Sequence, residues 1–537
     1  NNVEVFRPFL VRNGQQEGLS VINPDMVEKI GFSSGGFEAK YGDKMSSALD
    51  ITYRRAEKFN ANISASLLGG SAFVGFGNKK FSWLNGFRYK TTRYLLGSLE
   101  TKGEYDPMFI DYQTYLSYMP NKRWEIDFIG NISDNHYNFK PEDRETKFGT
   151  MENVKSFRVY FDGEEKDVFR TFFGSLSVKR NITQGTSLKL IASAFKTREQ
   201  ERYDLQSQYW LTQTETSENL GVGTFFQHTR NRLEATVGSV KLMLNHKTRH
   251  HNVETAVMFK REHIRERSVE YEMRDSAGYS VPHTSKDLNM IYSLRADNEL
   301  NANRIESYIQ DNWKFSTHND STFFTINYGV RLSHWNFNRE TIVSPRASIS
   351  VIPAFNQNMS FRFATGLYYQ APFYKELRDT TYANGMTIAR LNSNAKSQRS
   401  LHFIGGMEYR FNMANRPFKF TAEAYYKLIG RMTPYSVNNV QVVYYGDVEA
   451  KGHAMGVDLK LFGEFVPGSD SWISFSWMNT KMKMGDIEMP MPTDQRWGVN
   501  LFFTDYFPGT TRWKMSLKLA YFDGLPFSTP HRELTRN

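Results

Sequence analysis

The sequence predicts an all-β protein, a transmembrane antiparallel β-barrel of about 22 strands in the full protein, with about nineteen of them in this stretch. Three observations carry the prediction. Aromatic residues make up 15% of the 537 residues and charged residues 23%, at a mean hydropathy of -0.56. A chain so aromatic and so hydrophilic must sort its residues onto opposite faces, as strands do at every second position. Apolar and polar residues alternate in segments near the ~9–11 residues that a tilted strand needs to cross a bilayer. Short turns also alternate with longer polar stretches, as periplasmic turns and outer loops do in such a barrel. A soluble sandwich explains the alternation along each strand but not the two kinds of connection.

Composition removes several other classes. There are no cysteines, which excludes disulfides, thiolate metal sites and cysteine nucleophiles. The net charge of +10 comes from lysines and arginines scattered singly, so the contiguous basic footprint of a nucleic-acid site is missing and a solvated surface or lumen is favoured. The best uncharged window, Phe59 to Asn78, contains Asn60, Asn62, Asn78 and four glycines. It reads as two strands around Gly69-Gly70 rather than a membrane helix of ~20 apolar residues. The opening Asn1-Asn2-Val3-Glu4 lacks the pattern of a signal peptide, so the numbering is expected to begin inside a mature protein.

Along the chain, FKFTAEAYYKL sets Phe418, Phe420, Ala422, Ala424, Tyr426 and Leu428 against Lys419, Thr421, Glu423, Tyr425 and Lys427. WKMSLKLAY and WEIDFIG repeat the split, with Trp513, Met515 and Leu517 against Lys514 and Ser516, and Trp124, Ile126 and Phe128 against Glu125 and Asp127. Short turns are predicted at Pro120-Asn121-Lys122, Asn181 to Gly185, His246 to His251, Ser316 to Ser321, Pro353 to Asn358, Asn412 to Pro417, Pro467 to Asp470 and Pro508-Gly509. Outer loops are predicted at Asp134 to Val168, Arg198 to Arg230, Glu266 to Asn303, Pro372 to Arg399, Arg431 to Lys451 and Lys483 to Gln495, with a shorter one at Asn336 to Ile342. Three strands precede the one that begins at Phe109. Because such barrels close with an even number of strands, the chain is expected to stop in an outer loop after Gly524-Leu525-Pro526, with its C-terminal strands missing. Paired aromatics such as Tyr368-Tyr369, Tyr425-Tyr426 and Tyr444-Tyr445 suit the two bilayer interfaces.

Residues before about Arg55 differ. Asn23-Pro24-Asp25 turns into an amphipathic Met26 to Phe32, and SSGGFEAKYGDKMSSALDITYR follows, with two strand-like pieces around a glycine-punctuated turn. This resembles the end of the plug domain of TonB-dependent receptors, with matching positions at Glu28, Ile30, Gly35, Gly36, Tyr41, Gly42, Ser46, Ser47, Leu49, Asp50 and Ile51. The resemblance extends downstream and is closest to receptors of the Bacteroidota type, through SYIQDNWKF, GVRLSHWNFN, SPRASIS, YYQAPFYKELRD and DQRWGVNLFFTDYFPG. It implies a plug ending in residues 1–55, a barrel over 56–537, a Gram-negative outer membrane with its lipid and lipopolysaccharide, and import of a scarce ligand driven by the TonB complex. This stretch carries no TonB box and only the end of a plug.

Candidate sites are each weighed against a structural explanation. Gly31-Phe32-Ser33-Ser34-Gly35 matches a hydrolase elbow, but that motif needs a helix after its turn, and a strand-like run follows instead. No catalytic residue and no cofactor is expected. Met478, Met482, Met484, Met489 and Met491 fall in one outer stretch. Soft thioethers can hold Cu(I), yet packing by pliable side chains is the favoured reading, and no metal site is expected. His250-His251 has no third ligand near it, and Asp162, Glu164, Glu165 and Asp167 lack Ca²⁺-loop spacing. Arg362, Glu423, Asp458 and Lys460 are inward positions expected to meet the plug. The leading expectation is import by plug gating. The alternative is a non-transporting barrel that serves as a structural subunit of an outer-membrane assembly or secretion complex, with surface lipoproteins as further partners.

Overall fold

The computed structural model describes all residues except 7–8, 10–19, 92, 94–102, 151–152, 277–288, 318–320, 384–385, 439–440, 445–447, 511 and 527–537. Tyr445 and the centre of the predicted loop at 266–303 therefore lie outside the described residues.

A short 3-10 turn (Pro24–Met26), capped by the Asn23 side chain accepting from the Asp25 amide at 3.1 Å, leads into β1 (Val27–Ser33). β1 pairs antiparallel with β2 (Ala48–Tyr53), so the two apolar pieces around the glycine turn form a small sheet of their own. The wall of the barrel follows. It begins with β3 (Asn60–Ser66), β4 (Gly69–Gly77), β5 (Phe81–Lys90), β6 (Gly103–Asn121) and β7 (Trp124–Pro141). A side strand, β8 (Arg144–Thr150), precedes β9 (Asn153–Asn181), β10 (Thr186–Gln213), β11 (Asn219–Lys247), β12 (His251–Ser276) and β13 (Asn289–Ser316). The wall continues through β14 (Phe323–Trp335), β15 (Glu340–Ile352) and β16 (Met359–Gln370), then leaves for a hairpin of β17 (Arg378–Ala383) and β18 (Met386–Leu391). It resumes with β19 (Gln398–Met413) and β20 (Arg416–Met432), is interrupted by the hairpin β21 (Tyr435–Asn438) and β22 (Gln441–Tyr444), and returns at β23 (Ala450–Val466) and β24 (Ser469–Met484). The short β25 (Ile487–Pro490) precedes β26 (Trp497–Tyr506) and β27 (Lys514–Phe522).

The strands are ordered around a barrel. Antiparallel registers join each wall strand to the next, from β3 round to β27. Three wall strands precede β6, as the alternation predicts. At the seam, β27 and β3 expose every residue, and no register joins them among the described residues.

Period 2 explains which side chains face where. On β12, Val257 and Phe259 are exposed while Ala256 and Lys260 are buried; on β16, Phe361 and Phe363 are exposed while Ala364 is buried. The exposed set, with Phe172, Leu176, Leu242, Ile305, Ile309 and Phe475, makes an apolar outer belt, the surface that lipid requires. No helix among the described residues is long and apolar enough to cross a membrane.

Every predicted short turn falls between two wall strands, for example at 182–185 between β9 and β10 and at 248–250 between β11 and β12. The predicted outer loops need correction. Residues 198–230 are mostly strand: β10 and β11 stay paired out to Thr212 and Asn219, leaving only 214–218 between them. Residues 134–168 likewise carry the end of β7, all of β8 and the first half of β9, and β18 runs parallel to β13 at Leu294 to Ala296. β9 has 29 residues, against the ~9–11 that span a bilayer. Beyond the lipid the outward face of a strand meets water, so polar residues such as Glu199 and Glu201 inside and Arg198 and Arg202 outside occur on both faces. The contrast between lipid and lumen is lost there without the chain leaving the ladder.

Candidate functional site

The candidate site is the contact between residues 20–56 and the inner surface of the wall. From Ser34 to Lys44 the backbone has no strand partner, so its polar groups must find side chains or water. The wall supplies the side chains. Lys427 donates its ammonium to the Ser34 carbonyl at 2.7 Å and Arg362 its guanidinium to that of Gly36 at 2.9 Å. Tyr368 donates to Phe37 at 3.2 Å, and Arg346 reaches both Glu38 and Tyr41 at 2.7 Å. Arg331 covers Ala39 at 3.3 Å and Lys40 at 3.1 Å, and Gln310 accepts the Lys40 amide at 2.9 Å. The consecutive carbonyls from Gly36 to Tyr41 are thus taken by donors from β14, β15 and β16, and that of Ser34 by one from β20, all at inward positions of the alternation.

The resemblance-matched residues sit at this contact or beside it. Gly35 and Gly36 are buried where the backbone meets the wall: a Cβ on Gly35 would lie 2.5 Å from Ile404 Cδ1, and one on Gly36, at φ +62°, would lie 2.6 Å from the Ala364 Cβ. Gly42 lets the Arg331 guanidinium lie against the backbone. Tyr41 donates to the Asp50 carboxylate at 2.7 Å, and burial together with that acceptor pushes its phenol up to about 12. Glu28 lies exposed on β1. Positive φ favours glycine and the wall admits no branching at position 36. Gly36→Val is therefore expected to release residues 34–44 while the wall stays intact, read as new tryptic cleavage at Lys40 or Lys44 with no change in heat-modified gel mobility.

Of the four predicted inward residues, two meet this segment. Arg362 does so as above, and Glu423 accepts from the Ser34 hydroxyl at 3.2 Å. Asp458 lies opposite Glu423 in the ladder, and Lys460 sits over the Trp472 ring at 4.8 Å. Neither touches residues 20–56 in any described contact. Arg331, Arg346, Lys427, Tyr368 and Gln310 were missed as functional residues. The signal was their inward parity within strings already singled out, such as GVRLSHWNFN and SPRASIS.

The other candidates take ordinary roles. Ser33 closes a turn by donating to the Gly35 carbonyl at 2.7 Å, and no helix follows, so the elbow does not form. His251 pairs with Asp311 at 2.6 Å and stacks on Trp313, whereas His250 meets the Lys314 carbonyl at 3.1 Å. Asp162 and Glu164 share one face of β9, and Glu165 and Asp167 the other, which prevents convergence on a cation. Met482, Met484, Met489 and Met491 gather in one cluster with Met432, without Met478.

One outer element is tied to the segment directly. Asp43, at φ +53°, accepts the Ala371 amide at 2.6 Å and receives Arg304 at 2.9 Å. The chain then enters a 3-10 turn (Tyr374–Leu377) in which the Phe373 amide donates to the Glu376 carboxyl at 2.9 Å. Burial raises the Glu376 carboxyl to about 7. A carboxyl raised in the folded state holds its proton more tightly than in the unfolded chain, so its contribution is full below the ordinary carboxyl range and is lost as pH rises toward 7. Amides around 373–378 are expected to exchange roughly tenfold or more faster at pH 8 than at pH 5 beyond the intrinsic rate change, and Glu376→Gln to flatten that difference.

These features define a class: a long-stranded barrel with an apolar belt, whose inner wall grips a non-ladder segment of its own chain. Residues 111–531 match the family described as TonB dependent receptor-like, beta-barrel. The chain belongs to that family, which places the barrel in the outer membrane of a Gram-negative bacterium. No curated protein matches the sequence. Among solved structures it is similar to the siderophore receptor PirA from Pseudomonas aeruginosa, with TM-score 0.56 and 11% identity over 95% of this chain and 81% of that one. It is also similar to the copper transporter OprC, with TM-score 0.59 and 10% identity over 90% and 72%. The pyoverdine receptor FpvA from P. aeruginosa PAO1 gives TM-score 0.57 and 10% identity over 90% and 70%. Likeness at that identity shows the fold.

Proposed function

We propose that the chain is the barrel and the end of the plug of a TonB-dependent outer-membrane importer, in which a scarce ligand docks on the outer strands and movement of residues 1–55 opens the lumen. The observation that carries this reading is the row of wall cations on the carbonyls of Ser34, Gly36, Glu38, Ala39, Lys40 and Tyr41. Hydrogen bonds from charged donors are worth about 1.5–3 kcal/mol net each, and each of these is made to a single carbonyl. The same segment packs Phe37 and Ala39 into buried clusters with Tyr368 and Tyr308 of the wall, so its withdrawal breaks those contacts together with the bonds. The PirA and FpvA structures are of receptors for iron chelators and OprC of a copper transporter; a cargo from the class of scarce metal complexes is consistent with that company.

The test is growth of deletion strains on a panel of limiting nutrients: ferric chelates, copper, cobalamin, glycans and peptides. Import predicts one nutrient on which loss of this chain and loss of TonB give the same defect. Normal growth on all of them, with outer-membrane assembly subunits co-purifying, would establish the structural role instead.

A further inference from the structure

The methionine cluster lies where β24, β25, β20 and β23 meet, above the lipid belt. Met482 stands directly opposite Met489 in the β24–β25 ladder, and Met484 lies two residues on from Met482, on the same face. The Met491 amide donates to the Thr480 carbonyl at 3.1 Å, which sets Met491 beside Met489 on that face. The fifth thioether comes from far away in sequence. A register shift between Ile429 and Met432, with Arg431 at φ +55°, carries Met432 over β23 to pair with Ala450. There it faces Gly452, which is itself opposite Met482. A Cβ on Gly452 would lie 3.0 Å from the Met432 sulfur, so the glycine leaves the notch that the sulfur fills. Met432 and Met482 are 5% and 4% exposed, and Met484, Met489 and Met491 pack over them partly buried.

Packing alone does not ask for this composition. A half-buried sheet surface is best filled by β-branched and aromatic side chains, yet five positions, four on β20, β24 and β25 and one just past β25, are all methionine, with only Ile429 and Ala450 among them. Thioethers are neutral and soft, so they select Cu(I)-like ions over Zn²⁺, Ca²⁺ or Mg²⁺. Lys451, Lys481, Lys483 and Glu488 alternate onto the opposite face of these strands, so thioethers are the donors that the cluster presents on its own face.

We infer that this cluster is a binding site for a soft monovalent metal ion, Cu(I) or its redox-inert analogue Ag(I), held by the sulfurs of Met432, Met482 and Met489, with Met484 and Met491 closing over it. The site is independent of the import reading: it binds the ion whether or not the barrel transports anything. The test uses the whole barrel in detergent and chloride-free buffer. Calorimetric titration with Ag(I) is expected to show one tight site, and competition with bicinchoninate to show the same site taking Cu(I), with a sulfur-only first shell by X-ray absorption. Met482→Leu/Met489→Leu keeps volume and apolarity, so it should fold and bind at least about tenfold more weakly, whereas Met515→Leu on β27 should bind as the parent does. Equal binding by parent and double variant, or a first shell of nitrogen and oxygen, would overturn the assignment. Should the double variant fail to fold, the single Met489→Leu and the absorption spectrum of the parent decide the matter.

Discussion

Lys260→Met is expected to weaken the hold on residues 1–6 and their neighbours by about 3–5 kcal/mol, the cost of breaking a buried ion pair from one side. Lys260 is 1% exposed, and its ammonium lies 2.8 Å from the Glu4 carboxylate and 3.4 Å from that of Glu306. Glu306 in turn receives Arg331, the same residue that caps Ala39 and Lys40. One buried chain of charges therefore runs from the N-terminal segment into the wall and back to the segment. Burial favours a neutral Glu4, but the Lys260 ammonium overrides it and holds the carboxyl at about 2. A carboxyl depressed in this way contributes at every pH above the ordinary carboxylate range, and the contribution is lost as pH falls toward 2. Lys260→Met should remove both the stability and its acid dependence, read as protease sensitivity of the segment against pH. Adding Glu4→Gln should recover part of the loss, because one stranded charge is then gone. A single variant that costs under about 1 kcal/mol would show that the pair is not what anchors the segment.

Alternation exposed the barrel in the sequence because lipid and lumen impose opposite demands on neighbouring residues. Val257 against Lys260 and Phe403 against His402 carry that contrast in their identities. The same rule failed above the belt, where Arg198 to Arg230 looked like a loop because neither face of β10 or β11 meets lipid there. Glycines 35, 36 and 42 and the pair Tyr41 and Asp50 were legible through family resemblance, since close approach and one short hydrogen bond constrain residue type tightly. Arg331 and Arg346 were not, because an inward arginine that holds a carbonyl reads in sequence like one that faces water. Met432 was invisible for another reason: it sits about fifty residues before Met482 and joins it only through the register of β20, β23 and β24.

A reducible cross-link between residues 34 and 423 is expected to abolish import while leaving ligand binding intact. The Ser34 hydroxyl and the Glu423 carboxylate are 3.2 Å apart, and the Ser34 carbonyl is also held by Lys427 from the same strand. With no cysteine in the chain, Ser34→Cys and Glu423→Cys give a unique pair, bridged by a short bis-thiosulfonate reagent. Each single change removes one exposed hydrogen bond worth about 1 kcal/mol, so the unbridged proteins should import as the parent does. The bridge changes only one thing: the first carbonyl in the row can no longer leave its cation. If the polar contacts are a releasable grip, uptake stops on bridging and returns on reduction, in cells shown to need TonB for the same nutrient. If uptake continues through the bridged barrel, residues 34–41 do not have to move, and their cations serve only to satisfy a buried backbone.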